Sequence, residues 1–254
     1  MVDALSTFRL DGRTAIVTGA SSGLGARFAA VLAGAGATTV ITARRADRLD
    51  EVAAGVPGAI SVPGDVASDA HLAALVEVAL ERTGRLDIVV NNAGMSDVAA
   101  AEDEPLEQFR RVIDVNLTAT FGLSQLAARH MLSVGSGSIV NVASVLGIVG
   151  AGQIPQAGYT ASKGGVINLT RELAAQWGRR GVRVNALCPG WFPSEMTAEM
   201  FSDDKARRWI ERKAPMGRAG GEHELDGALL LLASDAGSYV TGQALVVDGG
   251  WTSV

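Results

Sequence analysis

Apolar residues along the chain alternate between two rhythms. Dense short runs at 14–18, 38–43, 59–63, 86–90, 137–142 and 181–187, and again from Val240 onward, are rich in Val, Ile and Thr. That is the composition of buried strands. Between the runs, apolar residues recur every three or four positions. They do so through Phe28, Val31 and Leu32, then over 45–54, 69–83 and 107 to about 131, through Val166, Leu169, Leu173 and Trp177, and over 225–233. Such spacing lays one apolar stripe on a helix. Strand and helix take turns from end to end, and no repeat, low-complexity tract or linker interrupts them. The pattern predicts a single α/β domain over 1–254, a doubly wound parallel sheet of about seven strands with helices on both faces.

Composition narrows the function. With 48% hydrophobic and 19% charged residues and 31 glycines, the chain reads as compact and rich in tight turns. A formal charge of −5 gives no attraction to nucleic acid or to an anionic membrane. No apolar stretch reaches the roughly 18 residues of a membrane span. Residues 1–10 have no signal-like apolar run, and Cys188 is the one cysteine, so a cytoplasmic, reducing setting is expected. Cys188 itself reads as a small buried apolar residue. His71, His130 and His223 are scattered without metal-ligand spacing, and no metal site is expected.

Candidate chemistry gathers where strands end. The first strand runs into Gly19-Ala20-Ser21-Ser22-Gly23-Leu24-Gly25 and then a helix. A strand, a glycine turn and a helix N-terminus form either a cradle for a pyrophosphate, which makes the sheet Rossmann-type, or a plain strand-to-helix turn; the spacing is G-x-x-x-G-x-G, not the usual G-x-G-x-x-G. The second strand ends at Ala43-Arg44-Arg45, without the acidic residue that bonds the ribose hydroxyls of NAD. A guanidinium instead suits a 2′-phosphate, so NADP(H) is preferred and NAD(H) remains possible. Arg44 is read as the phosphate ligand. Arg45 is read as opening a solvated helix and pairing with Asp47 or Glu51. Asp65 and Val66 follow the third strand, where Asp65 accepts from an adenine amino group or caps the next helix. Asn91-Asn92-Ala93-Gly94 ends the fourth, suited to a ribose contact or to a plain turn. Asn116 interrupts apolar neighbours within the 107–131 helix, where its amide bonds backbone or orders water. Ser144 stands just past the fifth strand, as a donor to a substrate oxygen or as a cap. The loop 145–158 is long and carries four glycines. Trp191 to Phe201 reads as a mobile lid over an apolar ligand, or as a packed helix.

Tyr159 and Lys163 are one helical turn apart and share a face. A phenol titrates near ~10, and bringing it to neutrality takes roughly 4 kcal/mol. One positive charge at about 5 Å supplies on the order of 3 kcal/mol at an effective dielectric of ~20. Lys163 therefore falls short alone, and a second donor or a cationic ligand is needed.

Taken together, Thr18 to Gly25, Asn91 to Gly94, Asn116, Ser144, Tyr159-x-x-x-Lys163, Pro189-Gly190 and Asp248-Gly-Gly250 resemble the short-chain dehydrogenase/reductase family. They cover nearly the whole chain in family order, and the layout is similar to 3-oxoacyl-acyl-carrier-protein reductases. The resemblance implies an oxidoreductase that moves a hydride between NADP(H) and a ketone or secondary alcohol. Tyr159 would be the acid/base, Lys163 the holder of the ribose and depressor of the Tyr159 pKa, Ser144 the positioner of the substrate oxygen, and Asn116 the holder of a water. It assigns the cofactor to Gly19, Ser21, Ser22, Gly23, Leu24 and Gly25, to Arg44, to Asp65 and Val66, and to Asn92, Ala93 and Gly94. Tyr159, Lys163, Pro189, Gly190, Phe192 and Ser194 complete that set. It also implies a homotetramer, for which the apolar face of the Tyr159 helix and the glycine-rich 242–250 end are candidate contacts. Two departures stand out. Ser144 and Tyr159 are fifteen apart where thirteen is common, which predicts a bulged 150–154 loop. Ser22 stands where NADP users often carry a base. The alternatives are an NAD(H)-dependent alcohol dehydrogenase of the same fold and a non-catalytic nucleotide-binding protein; the latter is disfavoured because Tyr159 and Lys163 are both present.

Overall fold

A computed structural model describes residues 3–254. Seven parallel strands form one sheet in the order β3-β2-β1-β4-β5-β6-β7. In chain order they are β1 Thr14–Thr18, β2 Thr38–Thr42, β3 Ile60–Ser61, β4 Ile88–Asn91, β5 Gly137–Val142, β6 Val182–Pro189 and β7 Ala244–Val247. The chain builds outward from β1 to β3, then crosses back to lay β4 on the other side of β1. That reversal opens a crevice above the carboxyl ends of β1 and β4, the place where such sheets take ligands.

Alternate residues of the strands feed two cores. Ala15 and Val17 pack with Phe28 and Leu32 of α1 (Gly23–Gly34), Leu49 of α2 (Ala46–Gly55) and Leu229 and Leu232 of α9 (Asp226–Ala233). Ile16, one residue out of phase, packs on the opposite face with α3 (Asp69–Thr83), α5 (Ala119–Val134) and α6 (Ala157–Trp177). Strand side chains alternate by face, so each β-branched run serves a helix layer on either side.

Several boundaries differ from the sequence expectation. The helix expected over 107–131 is α4 (Leu106–Ile113), a π-helical turn (Asp114–Thr118) and α5. The wide turn sits where Asn116 reaches sideways instead of following the apolar stripe. β3 keeps only two paired residues of the expected five, although the Val62 and Gly64 N–H groups still donate to Ile41 and Ala43. The segment 191–201 holds a 3-10 turn (Glu195–Thr197) and α7 (Ala198–Ser202), and α8 (Asp204–Lys213) follows it without having been expected. Most of the apolar face of α6 packs inward, with Leu169 only partly buried. Val166, Leu173 and Trp177 are buried within the protomer.

Candidate active site

The glycine turn after β1 is held from beneath by β4. The Thr18 hydroxyl accepts from the N–H groups of Asn92 at 3.0 Å and Ala93 at 2.9 Å. The Asn92 amide returns the contact, donating to the Thr18 carbonyl at 2.9 Å and the Gly19 carbonyl at 3.3 Å. Gly19 takes φ +66°, and a Cβ there would stand 2.8 Å from the Ala93 Cα. A Cβ on Gly25, in the first turn of α1, would collide with the Gly19 carbonyl oxygen. The backbone is thus packed as closely as glycine permits, and the free N–H groups of α1 open onto the crevice. Asn91 points elsewhere. It donates to Ser124 and Asn141 in a buried polar chain that reaches Thr170 of α6.

The crevice is a cavity of about 500 Å³. Every residue assigned above to the cofactor lines it, from Gly19 to Ser194 in chain order. Ser144, Tyr159 and Lys163 line it too, and Asn116 stands behind Gly94, its Oδ1 3.4 Å from where a Gly94 Cβ would be. α6 begins at Ala157, two residues before Tyr159, and its first turn is capped by Glu104, whose carboxylate accepts from the Gly158 N–H at 3.3 Å. Lys163 is only 4% exposed and donates to the Val142 carbonyl at the end of β5 at 2.7 Å. Its ammonium is 5.6 Å from the centre of the Tyr159 ring. Ser144 acts as the cap, its hydroxyl accepting from the Leu146 N–H at 3.1 Å, and it also hydrogen-bonds Tyr159.

Electrostatics correct one expectation. Burial pushes the Tyr159 phenol above its ordinary value, and only the Ser144 hydrogen bond acts the other way. Burial pushes Lys163 down to about 8. The protein's own groups therefore leave the phenol protonated at neutral pH, and the expected depression by Lys163 does not appear. Desolvation outweighs a cation that is near but not bonded to the phenol. Burial likewise pushes the Cys188 thiol up to about 11, as suits an inert core residue.

Asn116 also differs in detail. Its amide donates to the Met95 carbonyl at 2.9 Å and the Ser162 hydroxyl at 3.0 Å, and its oxygen accepts from the Met95 N–H at 2.9 Å. Both N–H groups are committed, so any water here rests on oxygen lone pairs. Asp65 accepts from the Ala67 N–H at 3.0 Å, while Ser68 caps α3.

Arg45 departs most from expectation. It pairs with neither Asp47 nor Glu51 but turns into the crevice, donating to the Ser21 and Ser22 hydroxyls at 3.1 and 3.0 Å and to Glu195 at 2.8 Å. Arg44 lines the same end and forms no ion pair among the described residues. Sequence reasoning missed Arg45 and Glu195 as lining residues. The doubled arginine carried a signal for the first; nothing in the order of residues joins Glu195 to a partner 150 positions away. Tyr159 also packs against an apolar cluster containing Trp191, Trp209 and Trp251, whose ring centres lie 5.6–5.8 Å apart edge to face. Among the described residues, no group of His, Cys, Asp and Glu is arranged to hold a metal, and no helix is long and apolar enough to cross a membrane.

Comparison with known proteins agrees with this geometry. Residues 19–252 match the family model described as enoyl-(acyl carrier protein) reductase. The chain is 40% identical to gluconate 5-dehydrogenase of Gluconobacter oxydans over 251 residues, covering 96% of each. It is 38% identical to a 3-oxoacyl-acyl-carrier-protein reductase of Thermotoga maritima over 246 residues, 95% of this chain and 98% of the other. Among solved structures, a gluconate 5-dehydrogenase from Burkholderia cenocepacia in complex with NADP and tartrate superposes with a TM-score of 0.93 at 38% identity, covering 99% of each chain.

Proposed function

The chain belongs to the short-chain dehydrogenase/reductase family, an NAD(P)-dependent oxidoreductase acting on CH–OH groups, and we propose that residues 1–254 work as one unit that interconverts a ketone and a secondary alcohol with NADP(H), using Tyr159 as acid and base. The observation that carries this reading is a shared cavity. Ser144, Tyr159 and Lys163 open into the same crevice as the glycine turn.

The crevice fits a dinucleotide on its own terms. The cradle at Gly19 and Gly25 admits no Cβ, and α1 presents free N–H groups to a pyrophosphate. Arg44 and Arg45, with the Ser21 and Ser22 hydroxyls, offer the forked donors that a 2′-phosphate takes. Bound there, NADP(H) supplies the hydride chemistry.

The protein's groups supply position and a proton. In the reducing direction, a neutral Tyr159 phenol donates its proton to the carbonyl oxygen as that oxygen gains charge, and the Ser144 hydroxyl donates a hydrogen bond to the same oxygen. The raised Tyr159 pKa keeps this acid loaded at neutral pH. Lys163, pushed down to about 8, exchanges a proton close to neutrality and can refill the site. In the oxidising direction the phenol must ionise, which the protein's own groups do not secure; positive charge on the bound cofactor would lower that cost.

Gluconate, a 3-oxoacyl thioester and a cyclic secondary alcohol form the substrate panel. NADP(H)-linked absorbance change should appear with at least one and vanish in Tyr159→Phe while NADPH still binds. Binding of the cofactor with no turnover of any alcohol or carbonyl overturns the reading.

A further inference from the structure

One carboxylate of the chain already sits in the place read here as the phosphate end. Glu195 Oε2 accepts from Arg45 at 2.8 Å and from the Ser22 hydroxyl at 2.9 Å, and Oε1 accepts from Arg48 at 3.0 Å. Two guanidinium groups and a hydroxyl thus converge on one internal anion. Its backbone is not free to wander. Ser194 and Thr197 form a reciprocal capping box around it, with the Ser194 N–H donating to the Thr197 hydroxyl at 2.9 Å. Ser194 in turn lies against the glycine turn, its Cβ 3.5 Å from where a Gly23 Cβ would be. The pair with Arg45 holds the Glu195 carboxyl below the usual carboxylate range, so it is charged at neutral pH.

We propose that Glu195 is a specificity-determining residue, an internal competitor that occupies Arg45 and Ser22 and must be displaced by the 2′-phosphate of NADP(H) but not by NAD(H). This rests on the reading of Arg45 as part of the phosphate site. A phosphate monoester carries about −1.5 to −2 charge at neutral pH against −1 for the carboxylate, so it wins the guanidinium, but at the cost of breaking the Glu195 contacts. NAD(H) leaves them intact, with the 191–197 segment still tied to α2. Glu195 therefore narrows the gap between the two cofactors, and its removal widens it.

Calorimetric binding of adenosine 2′,5′-bisphosphate and adenosine 5′-monophosphate to the wild type, Glu195→Gln and Arg45→Ala isolates the effect from catalysis. Glu195→Gln should bind the bisphosphate about three- to tenfold more tightly, the range that one or two half-exposed ion pairs control, with a much smaller change for the monophosphate. Arg45→Ala should lose bisphosphate affinity selectively. If Arg45→Ala behaves so while Glu195→Gln is unchanged, weaker, or tighter for both ligands equally, the competitor idea fails and the phosphate site stands. If Arg45→Ala does not discriminate between the ligands, the phosphate site fails and this inference falls with it.

Discussion

Lys163 is where local chemistry and stability pull against each other. An ammonium with 4% exposure is costly to bury, and its pKa falls from 10.5 to about 8. That shift corresponds to on the order of 3 kcal/mol of destabilisation while the group is charged. Its bond to the Val142 carbonyl returns about 1 kcal/mol. Lys163→Met should therefore raise stability at pH 7 by about 1–2 kcal/mol while abolishing turnover. The sign with pH follows from the folded pKa lying below the unfolded one. The penalty is full below about pH 8 and fades as pH rises toward 10.5. The advantage of Lys163→Met in urea midpoints should thus shrink by about 1 kcal/mol between pH 7 and 9. Cys188, pushed up to about 11, acts oppositely above pH 9 and feels the charge of Lys163, so the comparison stops at pH 9. An advantage that grew with pH would contradict the buried-charge account. At Tyr159 the expectation is simpler. Removing the phenolic proton in Tyr159→Phe should cost about 10²–10⁴-fold in kcat with little change in NADPH binding.

At the level of elements, the glycine turn and α1 show what was legible beforehand and what was not. The strand–turn–helix order announced a cradle, because only glycine permits that approach, and the structure gives the reason at Gly25. Gly25→Ala should cost about 1–3 kcal/mol, as overpacking does, and weaken NADPH binding, since the Gly19 carbonyl must move. Gly34→Ala at the far end of the same helix meets nothing within 4 Å and should instead stabilise by about 0.5–1 kcal/mol. Thermal melts of the pair check the contrast, and equal effects would deny that packing sets the turn. Ser144, Tyr159 and Lys163 were legible because strand ends and a four-residue helical spacing are local facts. The π-helical turn at Asn116 was half legible, since a polar residue broke the apolar stripe, but its partner Met95 comes from a loop after β4. The direction of Arg45 was hinted at only by the doubled arginine. Local rules offered Asp47 and Glu51, and tertiary placement of Glu195 prevailed.

For the whole molecule, the sheet itself raises the question of what covers its ends. β7 has β6 as its one neighbour, and all four of its residues, Ala244–Val247, are only partly buried. An apolar parallel strand left open in this way is a template for pairing or packing with another surface. β3 at the other edge has only two paired residues, so it presents much less. Tyr239, in the turn that leads toward β7, is fully exposed. Val166, Leu173 and Trp177 of α6 are buried in the protomer, so the β7 end is the contact to test first. Our expectation is therefore a homo-oligomer joined through that end. Light scattering after size exclusion should give a mass that is a whole multiple of the 26.1 kDa chain, with a homotetramer the family expectation. Tyr239→Glu, which puts a charge at the rim of the contact without touching the core, should shift the population toward smaller species and leave the melting profile of the protomer fold recognisable. A single-chain mass for the wild type would mean that β7 stands open to solvent, and the partly buried strand would then need some other cover.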